Sequence, residues 1–172
     1  MPTKTLFSVF DVARQVFYQS RSCLGIVNLK PLIPGHVLVI PRRVVPRLTD
    51  LKPDEISELF LSVQTIGRVI EKAYKAEALT VSIQDGIAAG QSVPHVHVHI
   101  LPRGSTGPFS EDKDSMYPAL EASEEGLRAD LEKKQAGSGS GGAKFAVPKD
   151  DERAPRTEEE MEKEAKWLET FF

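Results

Sequence analysis

The most regular hydrophobic–polar pattern in the chain runs over residues 95–100, with His95, His97 and His99 on one parity and Val96, Val98 and Ile100 on the other. A period of two with β-branched apolar residues predicts a strand. Successive side chains of a strand point to opposite faces. Three imidazoles therefore share one face, spaced by roughly 6–7 Å, and the apolar parity lies on the core. Upstream, residues 15–19 and 23–28 read as two strands joined by the Ser20-Arg21-Ser22 turn. An interior strand over 36–41 follows the Pro34-Gly35 turn, and a further strand over 78–84 feeds the glycine-bearing segment before the histidines. Residues 5–12 mix both classes and predict a short segment bordering the pocket.

Two stretches carry a helical period instead. Ile56, Leu59, Phe60, Val63, Ile66, Ile70 and Ala73 form one stripe, and Pro53, Asp54 and Glu55 before it suit a helix's first turn. Met161, Ala165, Leu168 and Phe172 form another, behind a capping-box sequence at Thr157-Glu158-Glu159-Glu160, with Trp167 and Phe171 widening its apolar face. Between Arg103 and that box the pattern fails. Apolar residues are few, charge is abundant, and glycine and serine alternate over 137–142. That composition predicts a mobile linker with at most a transient helix around 120–131. The expected architecture is α+β: about five antiparallel strands with the long helix on one face. Residues 1–103 are expected to form one folded domain, 104–156 a mobile loop, and 157–172 a docking terminal helix.

Composition narrows the classes of function. A chain of 172 residues is of single-domain size and can bury a real core. A net charge of −3 lacks the basic footprint of a general nucleic-acid binder, but one local pocket of donors suffices for a polyphosphate. No apolar run reaches membrane-spanning length. The single cysteine, Cys23, cannot form an intrachain disulfide, which favours a reducing compartment, the cytoplasm or also the nucleus.

The residues leave three readings of the histidine row open. A merely His-rich polar face is one. A zinc site is the second, since three imidazoles can chelate and leave an open position. Against it stands the lack of flanking ligands, Asp85 being the only carboxylate nearby in sequence. The third is nucleophilic chemistry at phosphorus, in which a neutral imidazole attacks and its neighbours donate to phosphoryl oxygens. Gly86, Gly90, Gln91 and Ser92 favour it, because glycines let backbone N–H groups approach an anion and the polar side chains can bind it.

The residues His95-Val96-His97-Val98-His99-Ile100-Leu101 match the signature of the histidine triad family. Gln84-Asp85-Gly86, Ala89-Gly90-Gln91-Ser92-Val93, Val27-Asn28-Leu29-Lys30-Pro31 and Pro34-Gly35-His36-Val37-Leu38-Val39 resemble its fragile-histidine-triad branch of dinucleoside polyphosphate hydrolases. The resemblance implies a histidine-triad fold, usually a homodimer. It implies hydrolysis of a dinucleoside polyphosphate, foremost diadenosine triphosphate, to AMP and the remaining nucleotide. His97 is then the nucleophile, with His99 and Gln91 holding phosphoryl oxygens and His95 and His36 orienting the row. The backbone over Gly90, Gln91, Ser92 and Val93 is the anion cradle, Asn28 meets the ribose hydroxyls, and Gln84 lines the substrate site. No metal ligand and no tightly bound cofactor is expected; Mg2+ or Mn2+ would accompany the substrate's phosphates. A nucleoside phosphoramidase and a nucleotidyl transferase are alternatives within the family, and a slow nucleotide-binding sensor is one of another class. Tyr117 matches a tyrosine after the triad in the same branch, and its role stays open.

Overall fold

A computed structural model describes residues 4–137 and 153–172. Strands β1 (Leu6–Phe7) and β2 (Phe10–Asp11) form a small hairpin. The main sheet is built from β3 (Val16–Gln19), β4 (Cys23–Val27), β5 (Val37–Pro41), β6 (Ala78–Ser82) and β7 (Val98–Arg103). It is antiparallel throughout, in the order β3-β4-β5-β7-β6, so the histidine-bearing strand lies inside the sheet. The expected five strands all form.

Helix α1 (Pro53–Tyr74) packs on β4, β5 and β7 and buries Leu59, Val63, Ile66 and Ile70. Pro53 opens it, and the Glu55 carboxylate accepts the Lys52 N–H at 2.8 Å, closing the first turn. Phe60, expected in the apolar stripe, is instead half exposed. The helix α3 (Glu158–Glu169) starts at the predicted capping box and docks through Met161, Ala165 and Leu168. Phe172 lies beyond it and stacks on Phe17 and Tyr18.

The segment between them departs from expectation. Met116–Gln135 is a twenty-residue helix, α2, where composition suggested a mobile loop. Its buried residues are Met116, Leu120, Glu124, Leu127, Asp130 and Leu131, an apolar stripe at helical spacing with a carboxylate in the middle. Met116 and Leu120 pack on Leu32, Ile33 and Leu101, while Leu127 and Leu131 join the main core. A buried Lys30–Asp130 ion pair at 3.0 Å ties the helix to the segment after β4. Of the glycine–serine tract, only Gly137 falls within the described residues.

The histidine row itself is less strand-like than its alternation implies. β7 begins at Val98, so of the three only His99 sits in the ladder, opposite Leu38 and Ser82. Pro94 has no N–H to give, the His95 N–H closes a turn onto Val93, and the Val96 N–H goes to the Val45 carbonyl.

Candidate active site

Three elements and a turn converge on the triad. β7 and its lead-in carry the histidines, the β1–β2 turn covers them from one side, and α2 approaches from another. All three imidazoles are buried, as is His36 at the entry of β5. The expectation that residues 5–12 border the pocket holds: the Phe7 ring lies 5.5 Å from that of His95 and 5.2 Å from that of His97.

Hydrogen bonds fix most of the protons. His95 Nδ1 accepts from the Ser8 N–H at 2.8 Å, so its Nε2 carries the hydrogen given to the Pro41 carbonyl at 2.8 Å. Burial, partly offset by that carbonyl bond, pushes its pKa down to about 4, and His95 is neutral. His36 Nδ1 accepts from the Leu32 N–H at 3.1 Å, leaving Nε2–H to donate to His99 Nδ1 at 2.9 Å. His99 in turn must carry its hydrogen on Nε2. Burial lowers the pKa of both His36 and His99. His99 is thus a neutral donor aimed into the pocket.

His97 differs. Its Nδ1–H donates to the backbone carbonyl of His95 at 2.7 Å, and its Nε2 lies 2.9 and 3.0 Å from the two carboxylate oxygens of Glu124. Burial works against the charged imidazole, but the Glu124 hydrogen bond and charge and the His95 carbonyl outweigh it, and the pKa rises. Burial likewise opposes a charged Glu124, yet His97 and His99 hold its pKa down at about 2. The pair is an imidazolium and a carboxylate, both fully buried. The same carboxylate lies 3.3 Å from His99 Nε2, and it accepts the Ser92 N–H at 3.2 Å. A backbone donor of the predicted anion cradle does therefore hold an anion, one supplied by the protein itself.

This ion pair has a pH window. The low Glu124 pKa contributes stability above its ordinary value of 4.5 that is lost as pH falls toward about 2. The raised His97 pKa contributes stability fully present below its ordinary 6.5 and lost as pH rises through the elevated value. The neighbouring His36, His95 and His99 act the other way: burial lowers their pKa values, so each costs stability as pH falls below its ordinary 6.5. Amide-exchange protection of α2 is expected to be highest near about pH 6.5 and to fall toward both acid and alkaline pH.

The HIT domain model matches residues 10–106, more than half of the chain. The chain belongs to the HIT domain family. Over its whole length it is 50% identical to a bis(5'-nucleosyl)-tetraphosphatase (asymmetrical) of Schizosaccharomyces pombe, covering 96% of that protein. It is 51% identical to a bifunctional bis(5'-adenosyl)-triphosphatase/adenylylsulfatase of Arabidopsis thaliana over 69% of this chain and 65% of that one. Among solved structures, the NitFhit protein of C. elegans superposes with a TM-score of 0.68 at 32% identity, covering all of this chain and 31% of that chain.

The HIT site gathers some expected residues and turns others elsewhere. His36 donates to His99 Nδ1, and Ser92 reaches the triad only through the Glu124 carboxylate. The Gln91 side chain, expected on phosphoryl oxygens, braces its own loop: its Oε1 accepts the Gly86 N–H at 3.0 Å and its Nε2 donates to the Pro46 carbonyl at 2.8 Å. Asn28, expected on a ribose, is buried, with its Oδ1 accepting the Lys30 N–H and its Nδ2 3.3 Å from His36 Nε2. Gln84 keeps a buried Oε1 with no hydrogen-bond partner. The His95 side chain straps the β1–β2 turn to Pro41, and it orients His97 through its backbone carbonyl. Gly90 takes φ +90°, a left-handed turn suited to glycine, and Val93 is core. Tyr117, on α2, is half exposed.

Glu124 is the residue missed altogether. With His97 and His99 its donor atoms lie within 4.8 Å of one another, a set that could hold a metal ion, where sequence proximity offered only Asp85. Asp85 faces away and is bonded to Arg47 and to the Leu48 N–H.

His36 is expected to act through His99. His36→Ala removes the acceptor–donor chain that fixes the His99 tautomer. It should lower kcat about 10- to 100-fold with a smaller change in KM. A loss confined to thermal stability would contradict the orienting role.

Proposed function

We propose that the chain hydrolyses dinucleoside polyphosphates at an α-phosphorus through a nucleotidyl-histidine intermediate, with diadenosine triphosphate as the foremost substrate. The observation that carries this reading is the proton arrangement around His97. Its Nδ1–H is held by the His95 carbonyl, so once the carboxylate withdraws, the neutral ring presents a lone pair on Nε2. Nε2 attacks phosphorus, the P–N bond forms, and the bridging P–O bond to the leaving nucleotide breaks. His99 Nε2–H and the Ser92 N–H stabilise the charge that builds on the phosphoryl oxygens. Water then attacks the same phosphorus, the P–N bond breaks, and AMP leaves. Without the carboxylate that raises its pKa, the imidazole is largely neutral at pH 7.

The relatives support the reaction class, and their names differ in phosphate number: a tetraphosphatase in one and a triphosphatase in the other. No tightly bound cofactor enters this mechanism. Mg2+ or Mn2+ accompanies the substrate and neutralises phosphate charge without histidine ligation. We place the protein in the cytoplasm or nucleus as a homodimer. A free buried Cys23 is consistent with that compartment, and no helix among the described residues is long and apolar enough to cross a membrane. Exposed Phe60 and Leu61 on α1 and Val81 on the edge strand β6 supply apolar surface for a second copy.

Chromatographic product analysis tests the reading. The panel holds diadenosine tri- and tetraphosphate, adenylyl sulfate and an adenosine phosphoramidate. Highest kcat/KM on a dinucleotide, with AMP as a product, is expected. Equal or faster turnover of the phosphoramidate would overturn it in favour of the phosphoramidase alternative.

A further inference from the structure

The nitrogen that must attack phosphorus is already occupied. Glu124 lies against Nε2 of His97, approaches Nε2 of His99 and takes the Ser92 N–H: the nucleophile and the two donors that a bound phosphoryl group would meet. The Ser92 hydroxyl donates to the Glu124 backbone carbonyl, so main chain and side chain are both seated. Neither His97 nor Glu124 exposes more than 1% of its surface. No substrate can reach the nucleophile while α2 is in this position.

The composition of α2 fits a contact that has to be broken. Met116, Leu120, Leu127 and Leu131 alone would dock it as an ordinary core helix. A leucine at 124 would continue the stripe, and an apolar replacement of a buried ion pair is commonly neutral or stabilising. The carboxylate instead makes docking depend on the protonated nucleophile. The only other buried charge pair holding the helix is Lys30–Asp130, among the described residues whose contacts are given.

We propose that α2 is a self-inhibitory lid, with the Glu124 carboxylate standing in the phosphoryl position and competing with substrate for the triad. The proposal rests on His97 being the group that meets phosphorus. Opening would uncover Nε2 and remove the charge that keeps its proton in place, so one motion both exposes and frees the nucleophile. A lid of this kind lowers the apparent affinity for every ligand of the site by the same factor, the fraction of molecules that are open. It does not alter the chemical step of a molecule already open.

The test uses the full chain and three proteins: wild type, Glu124→Ala, and the double variant Leu127→Ala, Leu131→Ala, which loosens the same helix without touching the triad. Binding of AMP by calorimetry is measured beside steady-state kinetics, because AMP binding reads the lid even if the hydrolase reading fails. Both variants are expected to bind AMP at least about fivefold tighter, and to lower KM for diadenosine tri- and tetraphosphate by one common factor, with kcat within about twofold. Hydrogen exchange in wild type should show α2 losing protection when AMP is added. Three results would overturn the lid: unchanged AMP affinity in both variants, α2 protection that AMP leaves alone, or a Glu124→Ala kcat that falls tenfold with KM constant. Stoichiometric zinc in purified wild type, absent from Glu124→Ala, would also overturn it by making the same three side chains a metal clasp. If AMP binding responds as expected but no dinucleotide is turned over, the lid stands and the hydrolase reading falls.

Discussion

His97→Asn is expected to lower kcat for diadenosine triphosphate by roughly 10,000-fold or more, the loss typical when a covalent nucleophile is removed. Asparagine can still donate near the position of the imidazole, but it cannot form the P–N bond. Binding should survive, because the His99 Nε2–H, the Ser92 N–H and the loop braced by Gln91 are untouched. The variant also takes away the cation that Glu124 holds, so AMP should bind as tightly as to wild type or more tightly. Calorimetry and single-turnover kinetics on the same preparation separate the two effects. A variant that fails to bind AMP, or that keeps a hundredth of wild-type turnover, would show that His97 is a binding group or a replaceable base. His95→Asn should cost less. Its side chain straps Ser8 and Pro41, and the carbonyl that orients His97 is retained.

The second large effect is on folding. Gly35 precedes His36 at the turn into β5 and has φ +87°. A Cβ there would lie 2.7 Å from Tyr74 Cδ2 and 2.9 Å from Pro102 Cγ. The tyrosine cannot swing away easily, because its hydroxyl donates to Glu164 and its ring packs edge-on against Trp167. Left-handed backbone costs roughly 1–2 kcal/mol for an L residue, and forced overpacking adds about 1–3 kcal/mol. Gly35→Ala should therefore destabilise the chain by roughly 2–5 kcal/mol, a large share of an ordinary domain's stability. Gly107→Ala is the control. Its φ is +97° but nothing lies within 4 Å, so backbone strain acts alone and about 1 kcal/mol is expected. Urea midpoints for the two variants should differ accordingly, and equal values would mean that Tyr74 and Pro102 yield.

The sheet and two of the helices were legible because their signals are local. Apolar runs bounded by turns mark β4 and β5, alternation marks the histidine segment entering β7, and the stripe from Ile56 to Ile70 behind Pro53 marks α1 without reference to the rest of the chain. The triad was legible for the same reason. The α2 helix was not, because its apolar residues are widely spaced and a glutamate sits at the centre of the face they define. Read at helical spacing, Met116, Leu120, Glu124, Leu127 and Leu131 do form one stripe, so a charged residue interrupting an apolar face was the available signal. Composition obscured it. Gln91 and Asn28 were legible as polar groups near the site, but sequence does not say where a side-chain amide points. Both meet nearby protein groups, and those contacts depend on turns that bring Pro46 and His36 beside them.

The stereochemical course at the α-phosphorus tests the central claim most directly. A dinucleoside polyphosphate made chiral at that atom, with sulfur and an oxygen isotope, is hydrolysed in isotopically distinct water, and the configuration of the nucleoside monophosphate is read. Attack by His97 and then by water inverts the centre twice, so retention is expected, whether or not the adduct accumulates. Inversion would mean one displacement by water itself, with His97 reduced to a general base.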